Sequence, residues 1–388
     1  MIITRTPFRV SFFGGGTDYP TWYLRHGGAV LATTIDKYCY LTCRYLPPFF
    51  EHRIRVVYSK IESCQSIDEI AHPAVREVLR HVGIDRGVEI HHDGDLPARS
   101  GMGSSSAFTV GLLQALYALK GQMIDKRRLA MEGIQIEQDR LQEAVGSQDQ
   151  VSAAYGGFNH IVFHHDGEIL VRPITVGTER LRLLNDHLML FFTGIARTAS
   201  KVAESYVQEM ERNALHLQRL HGQVDAGIAI LNGSADVREF GELLREAWDA
   251  KRSLSAGVTN PEVESLYEEA RGAGAIGGKL IGAGGGGFML LFVPPAAQPR
   301  VRERFYRLIH VPFRFSTGGS RVLFFEPDGD YSAEEQIRGR HALAPFRELS
   351  GPAEPPANGE APANRKAEEI LFSVPGTPAG TGGEPRST

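Results

Sequence analysis

Alternating apolar and polar positions in residues 1–60 predict several β-strands, because neighbouring side chains in a strand point to opposite faces. The clearest runs cover residues 31–45 and 53–58, where β-branched and aromatic residues are frequent. Further strands are predicted over residues 88–92, 158–163, 168–171, 188–193, 288–293 and 313–325. The sequence His164-His165-Asp166-Gly167 lies between two of these strands and is typical of a hairpin turn.

Apolar residues at helical spacing predict helices over residues 104–120, 126–144, 199–220, 237–255, 262–272 and 295–308. Asp125 and Asn260 are the expected N-caps of two of these helices, and Pro261 suits a first helical turn. Strands and helices mix without regular β–α alternation and without an internal repeat. The predicted fold class is therefore α+β.

Length and charge limit the partners that the chain can have. The 388 residues are 42% hydrophobic and 23% charged, which is typical of a globular chain with two domains or two lobes. A net charge of −4 gives no reason to expect nucleic acid or an acidic membrane as a partner. No apolar run is long enough to cross a bilayer, and residues 1–5 lack a signal-peptide pattern.

Cysteine usage points to a reducing compartment. The three cysteines, Cys39, Cys43 and Cys64, are too few and odd in number for a disulfide framework, so we expect buried thiols and a cytoplasmic location. The pairs at residues 91–92 and 164–165 are interpreted as surface or half-buried histidines rather than metal ligands. From Gly351 onward the sequence is rich in Pro and Gly, so a disordered tail is predicted over residues 346–388.

The segment 96–107, Leu-Pro-Ala-Arg-Ser-Gly-Met-Gly-Ser-Ser-Ser-Ala, carries the strongest chemical signal. Glycines allow the backbone to approach a ligand, and a helix that starts directly afterwards presents N–H groups suited to phosphate. An ordinary Gly-Ser loop with a serine N-cap is the alternative reading of this segment alone. No Walker A motif and no protein-kinase signature occurs in the chain.

Three other segments add candidate chemistry. Residues 7–19 form a strand that contains Arg9 and runs into three glycines and Asp18; residues 146–150, Gly-Ser-Gln-Asp-Gln, place Asp149 in a loop after a helix. Residues 282–287 satisfy Gly-x-Gly-x-x-Gly, but they lead into a strand rather than a helix. A dinucleotide site is therefore rejected in favour of a flexible loop beside an active site.

Together, residues 7–19, 96–107 and 279–288 resemble, in order, the three motifs of the GHMP kinases. The resemblance covers roughly residues 1–345. It implies a two-lobed α+β fold, with a ribosomal-protein-S5-like N-terminal lobe at residues 1–180 that binds ATP. It also implies a ferredoxin-like C-terminal lobe at residues 181–345.

Residues 5–20, 33–38 and 146–150 resemble the members that act on D-glycero-D-manno-heptose 7-phosphate. The implied reaction is ATP-dependent phosphorylation of the anomeric hydroxyl to the 1,7-bisphosphate, towards a nucleotide-activated heptose. The Glu that galactokinases carry in the first motif is missing, which puts galactose in doubt. Another sugar-1-kinase of fucose or galactose type, a non-catalytic sugar sensor and an isoprenoid-precursor decarboxylase stay open as alternatives.

The resemblance also implies roles for particular residues. Asp149 would be the base and Arg9 would neutralise charge at the reacting oxygen. Ser105 and Glu137 would hold Mg²⁺. The expected ATP-binding residues are Pro97, Arg99, Ser100, Gly101, Met102, Gly103, Ser104, Ser105 and Ser106. The expected substrate-binding residues are Gly15, Gly16, Thr17, Asp18, Arg197, Gly284 and Gly285.

A phosphorylated substrate also needs a cationic partner for its phosphate. The candidates from the sequence are Lys37, Arg44, Arg99, Arg197 and Arg321, and the sequence does not choose among them. The expected partners are thus ATP and a small sugar phosphate, with neither nucleic acid nor membrane, and a homo-oligomer is left open.

Overall fold

The computed structural model describes residues 1–98, 100–195, 209–255 and 257–326, together with residues 331, 333, 334, 336 and 337. By its internal contacts the chain divides into a unit Met1–Pro345 and a unit Phe346–Thr388. The predicted disordered tail lies outside the described residues. The sheets and helices of the described residues lie in the first unit.

A large, mostly antiparallel sheet contains nine strands, with the order β13-β1-β2-β5-β3-β4 and with β12 and β6 also paired to β2. Only the pairing of β3 with β5 is parallel among these described strands. The strands are β1 (Ile2–Phe13), β2 (Gly28–Tyr45), β3 (Ile54–Val57), β4 (Ile61–Cys64), β5 (Val88–Gly94), β6 (Phe158–Phe163), β7 (Ile169–Pro173), β12 (Phe315–Ser316) and β13 (Arg321–Phe325).

A second sheet contains four strands in the order β11-β8-β10-β9, all antiparallel. Its strands are β8 (Leu188–Phe192), β9 (Gly277–Leu280), β10 (Phe288–Phe292) and β11 (Ile309–His310). The whole of β10 is buried, which explains why it reads as an unbroken apolar run in the sequence.

Ten α-helices accompany the sheets in the described residues. They are α1 (Pro20–His26), α2 (Pro73–Val82), α3 (Ser104–Leu119), α4 (Lys126–Ile134), α5 (Gln148–Tyr155), α6 (Thr178–Asp186), α7 (Ala214–Asn232), α8 (Arg238–Arg252), α9 (Pro261–Gly272) and α10 (Gln298–Arg304). The side chains of Asp125 and Asn260 accept the N–H groups of Arg128 and Val263, which confirms both predicted N-caps.

Several predicted boundaries were wrong. The helix predicted over 126–144 is α-helical only to Ile134, because Gln135–Arg140 winds as a wider π-helix with Leu141 N–H bonded to the Ile136 carbonyl. Residues 199–208 of the helix predicted over 199–220 lie outside the described residues; its described part overlaps the start of α7, which continues to Asn232.

After residue 294, each predicted element is divided into two shorter ones. Residues 295–308 form a 3₁₀ turn, Pro295–Ala297, followed by the short α10. The strand predicted over 313–325 is divided into β12 and β13, because Gly318 and Gly319 pack against backbone at residues 154–156 and interrupt it. Helices α1, α2, α5 and α6 had no counterpart among the predicted elements, and Asp149, which was expected in a loop, lies in the first turn of α5.

The predicted lobe boundary between residues 180 and 181 falls within α6, and β12 and β13 return to the first sheet from the C-terminal side. The two-lobe division therefore stays a prediction. All three cysteines are buried thiols, as predicted. None of the helices in the described ranges is both long and apolar enough to cross a membrane.

Candidate active site

A cavity of about 500 Å³ lies where the first strand, three helix ends and two glycine loops meet. Its wall brings together most of the residues predicted from the sequence: Arg9, Gly15, Gly16, Asp18, Gly101, Gly103, Ser104, Ser105, Ser106, Glu137 and Asp149. Arg99 and Arg197 lie outside the described residues.

Arg9 and Asp149 form a bidentate ion pair at this wall. Nε and Nη2 of Arg9 donate to the two carboxylate oxygens of Asp149 at 2.7 and 2.9 Å. Nη1 of Arg9 donates to the Gly101 carbonyl at 2.7 Å, so one guanidinium links the carboxylate to the glycine–serine loop. The pair fixes the carboxylate's orientation, and each oxygen retains a second lone pair for a ligand.

The glycine–serine loop ends in helix α3 at the cavity. Gly101 and Gly103 have φ of 83° and 73°, and Gly103 is the N-cap of the helix. The first helical hydrogen bond runs from Ala107 N–H to the Gly103 carbonyl at 2.9 Å. The start of a helix generally presents N–H groups to a ligand, and the helix dipole favours an anion there.

Glu137 lies in the π-helical segment, and its residue surface is 0% exposed. One carboxylate oxygen accepts hydrogen bonds from Ser106 Oγ, at 2.8 Å, and from the Gln150 amide. Its other oxygen has no hydrogen-bond partner among the described residues. Burial raises the pKa of Glu137 to about 7, whereas the Ser106 hydroxyl acts in the opposite direction.

Asp18 joins the first glycine turn to helix α5. Its carboxylate accepts the backbone N–H groups of Gly16, at 2.8 Å, and Gln148, at 3.3 Å. Burial raises the pKa of Asp18, and the Gly16 N–H opposes that rise. A carboxylate so placed supports the helix turn that carries Asp149, in addition to lining the cavity.

Some residues predicted to touch ligands lie behind the cavity wall instead. The hydroxyl of Thr17 donates to the carbonyls of Gly14 and Ala29, and the side chain of Met102 is fully buried. Pro97, Ser100, Gly284 and Gly285 do not line this cavity either, although Pro97 is exposed; Gly282 and Ala283 line it from the glycine loop. The reason is the direction in which each loop turns, which residue type does not encode.

Two lysines were missed by the predictions. Lys251, in the last turn of α8, and Lys279, on β9, both line the cavity. Burial lowers the pKa of both, that of Lys251 to about 8, and the neighbouring Arg9 acts in the same direction. Lys279 opens the third motif and offered a signal, whereas Lys251 resembles any cation at a helix C-terminus.

Gln142 and Glu143, just after the π-helix, also line the cavity without having been predicted. Gln142 has φ of 53°, the one positive value among the described residues other than glycine. Strained backbone of this kind concentrates at functional sites, but it is visible only in the structure.

Family models match two stretches of the chain. The GHMP kinases N terminal domain matches residues 69–157, and the GHMP kinases C terminal model matches residues 229–309.

The chain belongs to the GHMP kinase family.

The relatives of this GHMP kinase include sugar kinases. The D-glycero-alpha-D-manno-heptose 7-phosphate kinase of Campylobacter jejuni is 29% identical over 308 residues, covering 76% of this chain and 91% of that protein. The L-fucokinase/L-fucose-1-P guanylyltransferase of Bacteroides fragilis is 28% identical over 348 residues, covering 77% of this chain but 35% of that protein.

A solved structure supports the fold. The D-glycero-D-manno-heptose 1-phosphate kinase from Bacteroides thetaiotaomicron matches with a TM-score of 0.69 at 23% identity, covering 84% of this chain and 100% of that chain. The predicted α+β class and GHMP kinase fold are confirmed. GHMP kinases use ATP as co-substrate, and the relatives indicate a sugar kinase.

The donor set at the cavity suits a magnesium ion. Glu137 offers a buried carboxylate oxygen that has no partner in the described part of the chain, and the exposed Ser105 offers a hydroxyl on the same wall. Mg²⁺ prefers oxygen ligands and binds through one or two protein groups while it keeps several waters. A cluster of three or more His, Cys, Asp or Glu side chains fit for a metal is absent from the described ranges.

Proposed function

We propose that this GHMP kinase transfers the γ-phosphoryl group of ATP to the anomeric hydroxyl of D-glycero-D-manno-heptose 7-phosphate. The product is the 1,7-bisphosphate, an early intermediate towards a nucleotide-activated heptose. The observation that carries the proposal is the bidentate Arg9–Asp149 pair beside the glycine–serine loop. The choice of acceptor is supported by the heptose 7-phosphate kinase to which this chain is similar over 91% of that protein's length.

In the proposed reaction, the loop 101–106 holds the ATP phosphates through backbone N–H groups and serine hydroxyls. Asp149 accepts the proton of the anomeric hydroxyl through a carboxylate oxygen. The sugar oxygen then forms a bond to Pγ, and the bond from Pγ to the β,γ-bridging oxygen breaks to release ADP. Arg9 offsets the negative charge that spreads over the transferring group.

Ser105 and Glu137 are the proposed Mg²⁺ ligands. When bound, the ion would neutralise negative charge on the phosphate oxygens. The cavity-lining Gly15, Gly16 and Asp18 lie where they can approach sugar hydroxyls. Since the Asp18 oxygens already accept two backbone N–H groups, only their remaining lone pairs are available to a sugar.

A fucose-type acceptor is the second candidate. It is favoured by the similarity to the Bacteroides fragilis protein, although this chain spans 35% of that protein. The two candidates differ in whether the acceptor carries a phosphate before the reaction.

A substrate panel with an ADP-release assay tests the proposal. The heptose 7-phosphate should exceed free heptose, fucose and galactose in kcat/KM by at least about 100-fold, because two charge-assisted phosphate contacts are lost without the 7-phosphate. Phosphorus NMR should show a glycosyl phosphate in the product. The Asp149→Asn variant controls for contaminating kinases, and comparable turnover of fucose would contradict the heptose proposal.

A further inference from the structure

The cavity contains more positive charge than its predicted residues account for. Its cations are Arg9, Lys251 and Lys279. Arg9 is paired with Asp149, whereas both lysines have backbone carbonyls as their hydrogen-bond acceptors among the described residues. A buried ammonium that lacks a carboxylate partner is costly, and an anionic ligand would compensate it.

The ammonium of Lys251 lies at the joint between the two glycine loops. It donates to the carbonyls of Leu280, at 3.4 Å, and Gly282. Gly282 is so close to Gly101 that an added Cβ would stand 2.5 Å from the Gly101 Cα. Because Gly101 also accepts from Arg9, Lys251 is placed next to the loop proposed to hold phosphate.

Lys279 is more deeply buried than Lys251. It is 4% exposed, and its ammonium donates to the Phe12 carbonyl at 2.9 Å. Lys251 retains some surface, which faces the cavity, so it is the one that can reach a ligand. Lys279 adds positive potential without that access.

Of the five phosphate-binding cations expected from the sequence, the three that the structure describes are not at the cavity. Arg44 pairs with Glu89, Lys37 pairs with Asp36, and Arg321 lies on the edge strand β13. Arg99 and Arg197 fall outside the described residues. Within the described part of the chain, Lys251 is the half-buried cavity cation that is not already held by a carboxylate.

We propose that Lys251 binds a phosphate oxygen in the cavity. Its ammonium has three N–H donors, of which two bind carbonyls and the third is available to the phosphate. Lys279 is a positioning residue for Lys251. The inference rests on the proposed function. Phosphate at this point has two sources: the terminal phosphate of ATP and the phosphate that the acceptor already carries. Both present the same dianionic chemistry to the ammonium.

Lys251→Gln keeps a hydrogen-bond donor for the carbonyls and removes the charge. Calorimetric titration with the non-hydrolysable analogue AMPPNP, and separately with the heptose 7-phosphate, should show a loss of affinity of roughly tenfold or more for one of them. Lys251→Arg should recover part of that loss.

Lys120→Gln is the matched control, because the Lys120 ammonium also donates to two carbonyls, those of Val82 and Gly83, but away from the cavity. Circular dichroism and melting temperature check that each variant folds. If Lys251→Gln does not fold, Lys251→Arg and Lys251→Met are titrated in its place.

The two titrations distinguish the two possible sources of the bound phosphate. A loss for AMPPNP assigns Lys251 to the terminal phosphate of ATP, whereas a loss confined to the heptose 7-phosphate assigns it to the acceptor. Unchanged affinity for both in a folded variant would overturn the inference. If wild-type protein binds no sugar phosphate but turns over free fucose, the proposed substrate fails, and the AMPPNP arm alone decides the role of Lys251.

Discussion

At the scale of single residues, the Arg9–Asp149 pair joins positions that are 140 residues apart in the sequence. The guanidinium orients the carboxylate, and the Gly101 carbonyl in turn orients the guanidinium. If Asp149 is the base, as proposed, it needs no rearrangement before it accepts a proton.

Asp149→Asn should lower kcat by roughly 10² to 10⁴-fold, because an amide oxygen still accepts from Arg9 but is a poor base. AMPPNP affinity, measured by calorimetry, should be nearly unchanged. Asp225→Asn, on the exposed part of α7, is the control. Should the Asp149 variant keep more than about a tenth of wild-type kcat, Asp149 is not the base.

The proposed metal ligands are tested by titration of Mg²⁺. Ser105→Ala and Glu137→Gln should both raise the Mg²⁺ concentration needed for half-maximal rate, because both side chains are assigned to one ion. Ser106→Ala, which removes the 2.8 Å hydrogen bond to Glu137 but no assigned ligand, should have a smaller effect. Unchanged titrations for Ser105→Ala and Glu137→Gln would remove the assignment.

At the scale of elements, the glycine–serine loop and helix α3 matter most for the geometry of the proposed reaction. An added Cβ at Gly103 would stand 3.2 Å from Arg9 Cγ and 3.4 Å from Asp149 Oδ2. The loop backbone and the ion pair therefore determine each other's position, and the helix start is part of the reaction geometry.

Gly103→Ala should lower both stability and kcat. The left-handed backbone conformation costs alanine about 1–2 kcal/mol, and the added Cβ crowds the ion pair. Gly121→Ala is a close match, because Gly121 has φ of 69° and an added Cβ would have nothing within 4 Å. Urea unfolding should show a similar loss for both variants, whereas kcat should fall only for Gly103→Ala. Equal kcat in the two variants would contradict the proposed coupling.

Element prediction succeeded where the signal is local. The caps at Asp125 and Asn260, the hairpin after Phe163 and the apolar strand β10 depend on residues close in sequence. It failed at the π-helix, and it failed at the division of β12 from β13 because Gly318 and Gly319 pack against a distant chain segment.

At the scale of the whole molecule, the cavity is assembled from β1, the start of α3, the π-helix, α5, the end of α8 and the loop before β10. Ligand binding therefore engages segments from residue 9 to residue 283, and unfolding of any of them should release the ligand.

Saturating AMPPNP should raise the melting temperature, since about 100 Kd of ligand adds roughly 2.7 kcal/mol to the free energy of unfolding. Calorimetry should show the main transition moving as one. Asp149→Asn should keep this shift, because the variant loses the base and not the phosphate loop. A ligand-dependent shift of only part of the transition would show that the cavity elements unfold separately.

The sequence by itself determined the fold class, the family resemblance and the glycine and serine turns of the cavity wall, because glycine turns, caps and the phosphate loop are encoded by adjacent residues. Tertiary structure decided that Thr17 and Met102 face the interior, that Ser106 rather than Ser105 touches Glu137, and that Lys251 faces the cavity. These contacts join residues that are distant along the chain. They depend on strand pairing and helix packing, which local periodicity does not specify.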